Sequence, residues 1–179
     1  MIFKEDTPYF LRENETGAEN GDCGFRCLFR EQAAEFFFAV TDTDIISPYK
    51  EDNEDIWQWD AVEVFLSPDG NLNCYYEMEV SPFGVRLWGE IERRGEERVL
   101  RKSPPPFEAE TIRTAEGYAV HIRLPLVALK GFDRRAAKLN AFRLDRKADG
   151  TQKLYALNPT LCTTFHKPEY FIQIWTKDC

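Results

Sequence analysis

Three glutamates recur in two neighbouring segments that alternate apolar and polar residues. Glu63 lies in the run Asp60–Leu66, and Glu77 and Glu79 lie in Cys74–Val80. Residues two apart on a strand share a face, so Glu77 and Glu79 point the same way. Two roles fit them. They are the solvated side of an antiparallel pair, which is the ordinary use of such a face. Alternatively, Glu63 and Glu77 form a hydrolytic pair, since glycoside cleavage needs two carboxylates about 5–5.5 or 6.5–9.5 Å apart.

Other reactive groups are thinly supplied. His121 and His166 are the only histidines. There is no nucleophile elbow, no phosphate loop and no Cys/His pairing that would support a thiol nucleophile. The cysteines are Cys23, Cys27, Cys74, Cys162 and Cys179. Cys23 and Cys27 are four apart, but no second pair sits nearby at zinc spacing. Asp42, Asp44, Asp52, Asp55 and Asp60 are hard oxygen donors of the type calcium takes, yet they do not follow EF-hand spacing. The aromatic Trp57 stands in an acidic loop, before the alternating strand begins. A loop aromatic has no periodic reason to be inside, so Trp57 is a candidate for ligand contact as well as for packing. Trp59 reads as structural. Tyr49, in the same loop, is placed to close over a ligand, and His166 is placed to touch one.

The elements that must hold these residues are strands. Val62, Val64 and Leu66 face one way, and Ala61, Glu63 and Phe65 the other. Ser67-Pro68-Asp69-Gly70 is a turn signal. The returning strand puts Tyr76, Met78 and Val80 on one face and Tyr75, Glu77 and Glu79 on the other. Further strands are expected over the Phe36–Phe38 run, around Trp88, on both sides of a turn at Glu116-Gly117, at 137–146, 153–157 and 171–175. A helical start is expected near Glu31–Glu35, and a short helical turn at 126–132. The charged stretch at 92–102 reads as a polar hairpin or loop. Many short strands separated by turns predict an all-β, two-sheet antiparallel β-sandwich, jelly-roll-like, with little helix.

Composition narrows the function. The chain has 179 residues, which predicts a single domain over 1–179. Its 31 acids against 23 Lys and Arg give a formal charge of −8. That balance argues against binding nucleic acid, whose phosphates need clustered cations, and against an anionic membrane. No apolar run approaches the ~20 residues of a membrane helix. The first residues lack a signal-peptide pattern, so the expected location is cytoplasmic with reduced thiols, or extracellular if the chain is an excised module.

Several phrases stand in a fixed order: VTDTDI (40–45), WQWDAVEVFLSPDG (57–70), YYEMEVSPFG (75–84), GYAVHIRLPLVAL (117–129), LNAFRLDR (139–146), then YALNPT and FHKPEYF (155–171). Together they resemble the family 9 carbohydrate-binding modules and their DOMON-like relatives, over about residues 36–175; residues 1–35 match less clearly. The resemblance implies a non-catalytic sandwich that clamps a sugar end between two aromatics, here matching Trp57 and Phe165. It implies that Glu63 hydrogen-bonds sugar hydroxyls and that Arg143 matches an arginine common in the LNAFRLD phrase; on the residues themselves, Glu63, Glu77 and Glu79, if clustered with Arg143, would make a polar platform for hydroxyls. Glu79 departs from members that carry a basic residue there. The expected partners are glucan or xylan fragments and a catalytic partner enzyme, such as a xylanase or other glycoside hydrolase. Calcium is implied too, without a residue-by-residue ligand match. The competing expectations are a carbohydrate-active hydrolase, or a sandwich whose sugar site has become a protein-interaction surface.

Overall fold

The computed structural model describes residues 3–95 and 97–175. Fourteen strands run through these residues. They are β1 (Phe3–Lys4), β2 (Tyr9–Phe10), β3 (Arg12–Glu13), β4 (Cys23–Phe29), β5 (Ala33–Thr41), β6 (Ala61–Ser67) and β7 (Cys74–Val80). The rest are β8 (Arg86–Arg94), β9 (Glu97–Lys102), β10 (Glu108–Arg113), β11 (Gly117–Pro125), β12 (Lys138–Arg146), β13 (Gln152–Ala156) and β14 (Ile172–Trp175). Helix among the described residues is limited to three single 3-10 turns, at Ile56–Gln58, Leu126–Ala128 and Pro168–Tyr170.

The strands form two sheets. The smaller has the order β10-β11-β5-β4-β2. The larger runs β1-β14-β12-β6-β7-β8-β9, with β13 pairing β12 and β3 pairing β13. All ladders are antiparallel except β1 with β14.

Alternation decides what the sheets bury between them. Val62, Val64 and Leu66 from β6, Met78 and Val80 from β7, and Trp88 from β8 meet Phe25, Phe36, Phe38, Val120 and Ile122 of the smaller sheet. Tyr76 stacks on Trp88, with ring centroids 4.8 Å apart. Cys23 and Cys27 are free and buried here, and burial pushes the Cys23 thiol up to about 12. Cys179 lies outside the described residues.

The expected helical start near Glu31–Glu35 is a turn and a strand instead. The Arg30 amide bonds the Ala33 carbonyl, and β5 begins at Ala33. The reason is tertiary: Phe36 and Phe38 pair with Cys27 and Phe25 of β4, and alternation carries the strand back to Ala33.

Candidate sugar-binding site

The opposite face of the larger sheet is covered, not wet. Ala61, Phe65, Tyr75, Ile91, Phe142 and Leu144 form a second apolar cluster there with Phe165 and Phe171. The cover is the chain between β13 and β14. Phe165 stacks on Phe142 at 4.1 Å, His166 lies over Phe65 at 4.9 Å, and Phe171 meets Tyr75 edge-on at 5.1 Å. Asn14, fully buried, pins the start of this cover. Its side-chain amide donates to Thr160 Oγ1 at 2.8 Å and to the Cys162 carbonyl at 2.7 Å, and its Oδ1 accepts the Thr160 N–H at 2.9 Å.

Glu63, Glu77 and Glu79 are therefore buried, only 2%, 3% and 0% exposed, which corrects their placement on a solvated face. Register brings them together. Glu63 is opposite Glu79, Glu77 is opposite Phe65, and Phe142 flanks Glu63 from β12. On the other side Gly89 is opposite Glu77. A Cβ at Gly89 would come within 2.1 Å of Leu100 Cδ1, so the missing side chain is what lets Leu100 of β9 lie across this edge.

Above the glutamates opens a cavity of about 440 Å³, lined by Trp57, Phe65, Phe165 and His166, with Glu63 and Glu77 in its floor and Arg98, Leu100 and Gln152 at its sides. Trp57 sits on the 3-10 turn at the mouth and is 44% exposed. Its carbonyl accepts from Gln152 Nε2 at 3.0 Å, which fixes the turn against β13. Phe165 is on the wall but only 6% exposed, because one side of its ring is spent on Phe142. The two aromatics thus share a cavity unequally.

Electrostatics follow from burial. Desolvation, then repulsion from its neighbours, holds the carboxyls of Glu63 and Glu79 well above the usual glutamate range. Glu77 is raised by burial too, with Arg98 and Lys102 opposing. His166 is pushed the other way, down to about 3, by burial and then by Arg98 and Arg93. It is a neutral ring, sharing a 2.9 Å hydrogen bond with the Tyr75 hydroxyl.

Two expected site residues lie elsewhere. Arg143 is on the other face of β12, opposite Val62, and is buried toward the inter-sheet core. It does not join the glutamates. Its guanidinium pairs with Asp42 at 2.9 Å and Asp145 at 3.5 Å. Tyr49 is half-buried against Ile56, Val85 and Leu87, and it does not line the cavity. Arg98, Leu100 and Gln152 do line it and were not singled out from sequence. The signal available for Arg98 and Leu100 was the alternation of β9 within its charged stretch; Gln152 opens β13 and had no such signal.

The loop acids separate likewise. Asp42 and Asp60 converge with Asp145, one oxygen of each lying within 4.8 Å of the others. Asp52 instead pairs with Arg86 at 2.6 Å, and Asp55 with Lys102 at 2.5 Å. Asp44 accepts the Ala148 N–H. In the convergent cluster, Lys147 reaches Asp145 at 2.8 Å and Asp42 at 3.9 Å beside Arg143. Asp60 accepts the N–H groups of Ile46 and Arg146, and burial lifts its carboxyl to about 6.

A two-sheet β-sandwich with an aromatic-walled, polar-floored cavity on one sheet defines the class of a sugar-binding sandwich. Family comparison agrees: residues 4–172 match the family described as carbohydrate family 9 binding domain-like, and the chain belongs to that family of non-catalytic carbohydrate-binding domains. Among solved structures, the chain is similar to a putative carbohydrate-binding protein from Bacteroides uniformis, with TM-score 0.76, 17% identity, and coverage of 94% of this chain and 85% of that one. It is also similar to a family 9 module from Caldicellulosiruptor kristjanssonii. In complex with glucose, that module gives TM-score 0.66 at 12% identity, covering 100% of this chain and 97% of that one. In complex with cellotriose it gives 0.64 at 14% identity, covering 97% and 91%. No curated protein matches in sequence.

Proposed function

We propose that the cavity holds one end of a glucan or xylan fragment, one ring against Trp57 and its hydroxyls toward Glu63, Glu77 and His166. The observation that carries this is Trp57, a large apolar side chain left 44% exposed at the mouth of a cavity with a polar floor. Pyranose C–H faces pack on indole, while ring hydroxyls need acceptors in fixed places. A cavity of about 440 Å³ suits a chain end better than a long stretch of polymer. The glucose and cellotriose held by the Caldicellulosiruptor module support the same ligand class. Calorimetry with glucose, cellobiose, xylobiose and soluble xylan tests it. Heat with at least one is the expected result, and no heat from any at millimolar sugar overturns it.

We also infer that the module serves an enzyme acting on the same glycan, since holding a chain end without cleaving it has its use beside a catalyst. Co-elution of this chain with such an enzyme on the polymer is the check. Calcium is a different matter. The Asp42, Asp60 and Asp145 cluster does not fit it well, because Arg143 and Lys147 already balance two of the three charges. We propose that the cluster works without calcium, so that melting with chelator and with added calcium gives the same midpoint; a clear upward shift with calcium would refute this.

A further inference from the structure

At the floor of the cavity three acidic side chains are crowded together. One carboxylate oxygen from each of Glu63, Glu77 and Glu79 lies within 4.8 Å of the other two. Among the described residues, Glu63 Oε2, Glu77 Oε2 and both oxygens of Glu79 are buried with no hydrogen-bond partner outside the trio, within which Glu79 bonds Glu63 and Glu77. Among the described residues no lysine or arginine forms an ion pair with any of the three; Lys102, which lies opposite Gly89 on β9, is held by Asp55 and by the Asn53 carbonyl. Arg98 is exposed at the cavity's side.

We propose, resting on the sugar-end reading above, that the preferred ligand carries a protonated amine, and that Glu63 and Glu77, which line the cavity, are the acceptors for that ammonium, with Glu79 buried behind them. An ammonium group offers three N–H donors and no acceptor, which is the complement of a floor of carboxylate oxygens. Charge-assisted bonds of this kind are stronger than those made by a hydroxyl. Aromatic faces add attraction for a cation, and Trp57 and Phe65 both line the cavity. A divalent metal fits the trio less well. Calcium takes about six to eight oxygens. The cross-strand neighbours of the glutamates are instead Phe65, Phe142, Leu87 and Gly89, none of which brings a side-chain oxygen. The chemical class is therefore an amino sugar at a chain end, such as a glucosamine-terminated β-linked oligosaccharide.

Calorimetry on the intact chain with three disaccharides tests the proposal: cellobiose, its diamino analogue of β-linked glucosamine, and the N,N′-diacetylated form of that analogue. The amine should bind about tenfold or more tighter than cellobiose, and acetylation should abolish the preference. In Glu63→Gln and, separately, Glu77→Gln, the ratio of the two affinities should fall toward one. A thermal melt of each variant shows that it is folded, and the comparison of ligands on the unaltered chain needs no variant at all. Equal binding of amine and cellobiose overturns this proposal and leaves the sugar-end reading standing. Binding of the amine without any neutral sugar upholds the ammonium site and overturns the neutral-glycan reading. Binding of neither ligand overturns both. Titration with calcium and manganese chlorides is the remaining arm: metal binding that Glu63→Gln removes would make the trio a metal site and overturn the amine.

Discussion

Trp57 and Phe165 are the two cavity aromatics, and their environments predict opposite responses to truncation. Trp57→Ala removes a half-open wall of the cavity. Stacking on one aromatic is worth about 1–3 kcal/mol, by analogy with bases on aromatic side chains, so affinity for the bound sugar should drop about tenfold or more. The melting midpoint should hardly move. Phe165→Ala instead removes the partner of Phe142 from a closed cluster and should cost about 3–5 kcal/mol of stability. A titration and a melt on each variant separate the two; a large loss of stability in the Trp57 variant with unchanged affinity would show that its role is packing. Glu79 gives a prediction of the other sign. Its carboxyl binds a proton more readily in the folded chain than in the unfolded one. Its contribution to stability is therefore present at low pH and is lost as pH rises from the ordinary value of 4.5 through the raised folded value. Glu79→Gln should flatten that decline and raise the midpoint near neutrality by roughly 2–8 °C, or about 1–2 kcal/mol. His166 acts in reverse. Its folded value of about 3 against an ordinary 6.5 means stability is full above 6.5 and falls as pH drops below it. Melts across this range, with and without the Glu79 change, resolve the two contributions.

The elements explain which of these placements a sequence reveals. Alternation in β6 and β7 assigns Val62, Val64, Met78 and Val80 to one face and the glutamates to the other, and both assignments hold. What alternation does not say is whether the second face meets water. The cover comes from residues 165–171, about a hundred positions away, and only their packing on Phe65, Tyr75 and Phe142 makes the face an interior. Phe65 and Tyr75 on the same face as the glutamates were the local hint, since two large aromatics there argue for a cover. Arg143 shows a second limit. Its parity within β12 follows Leu139 and Ala141 into the inter-sheet core, but relating it to Glu63 needs the β6–β12 register, which is a non-local property. Because that arginine neutralises buried Asp42 and Asp145, Arg143→Met should destabilise by about 3–5 kcal/mol. A denaturant titration checks this, and a change within error would mean that the aspartates find other partners.

At the scale of the whole molecule, the two faces of the larger sheet have divided the work. One face seals against the smaller sheet with aliphatic and aromatic side chains, and the other carries a polar floor under its own cover. The cover is fastened by Asn14, whose bonds to Thr160 close a loop of 146 residues. Closing so long a loop costs entropy that local pairing does not recover, and contacts of this separation form late in folding. The hairpins β6–β7 and β10–β11 can pair soon after they are made, whereas the cavity takes shape only when the two remote parts of the chain meet. Its assembly is thus a checkpoint for the whole sandwich. A bound sugar would act as a clasp on that last joint, slowing the unfolding of a molecule whose individual strands it scarcely touches.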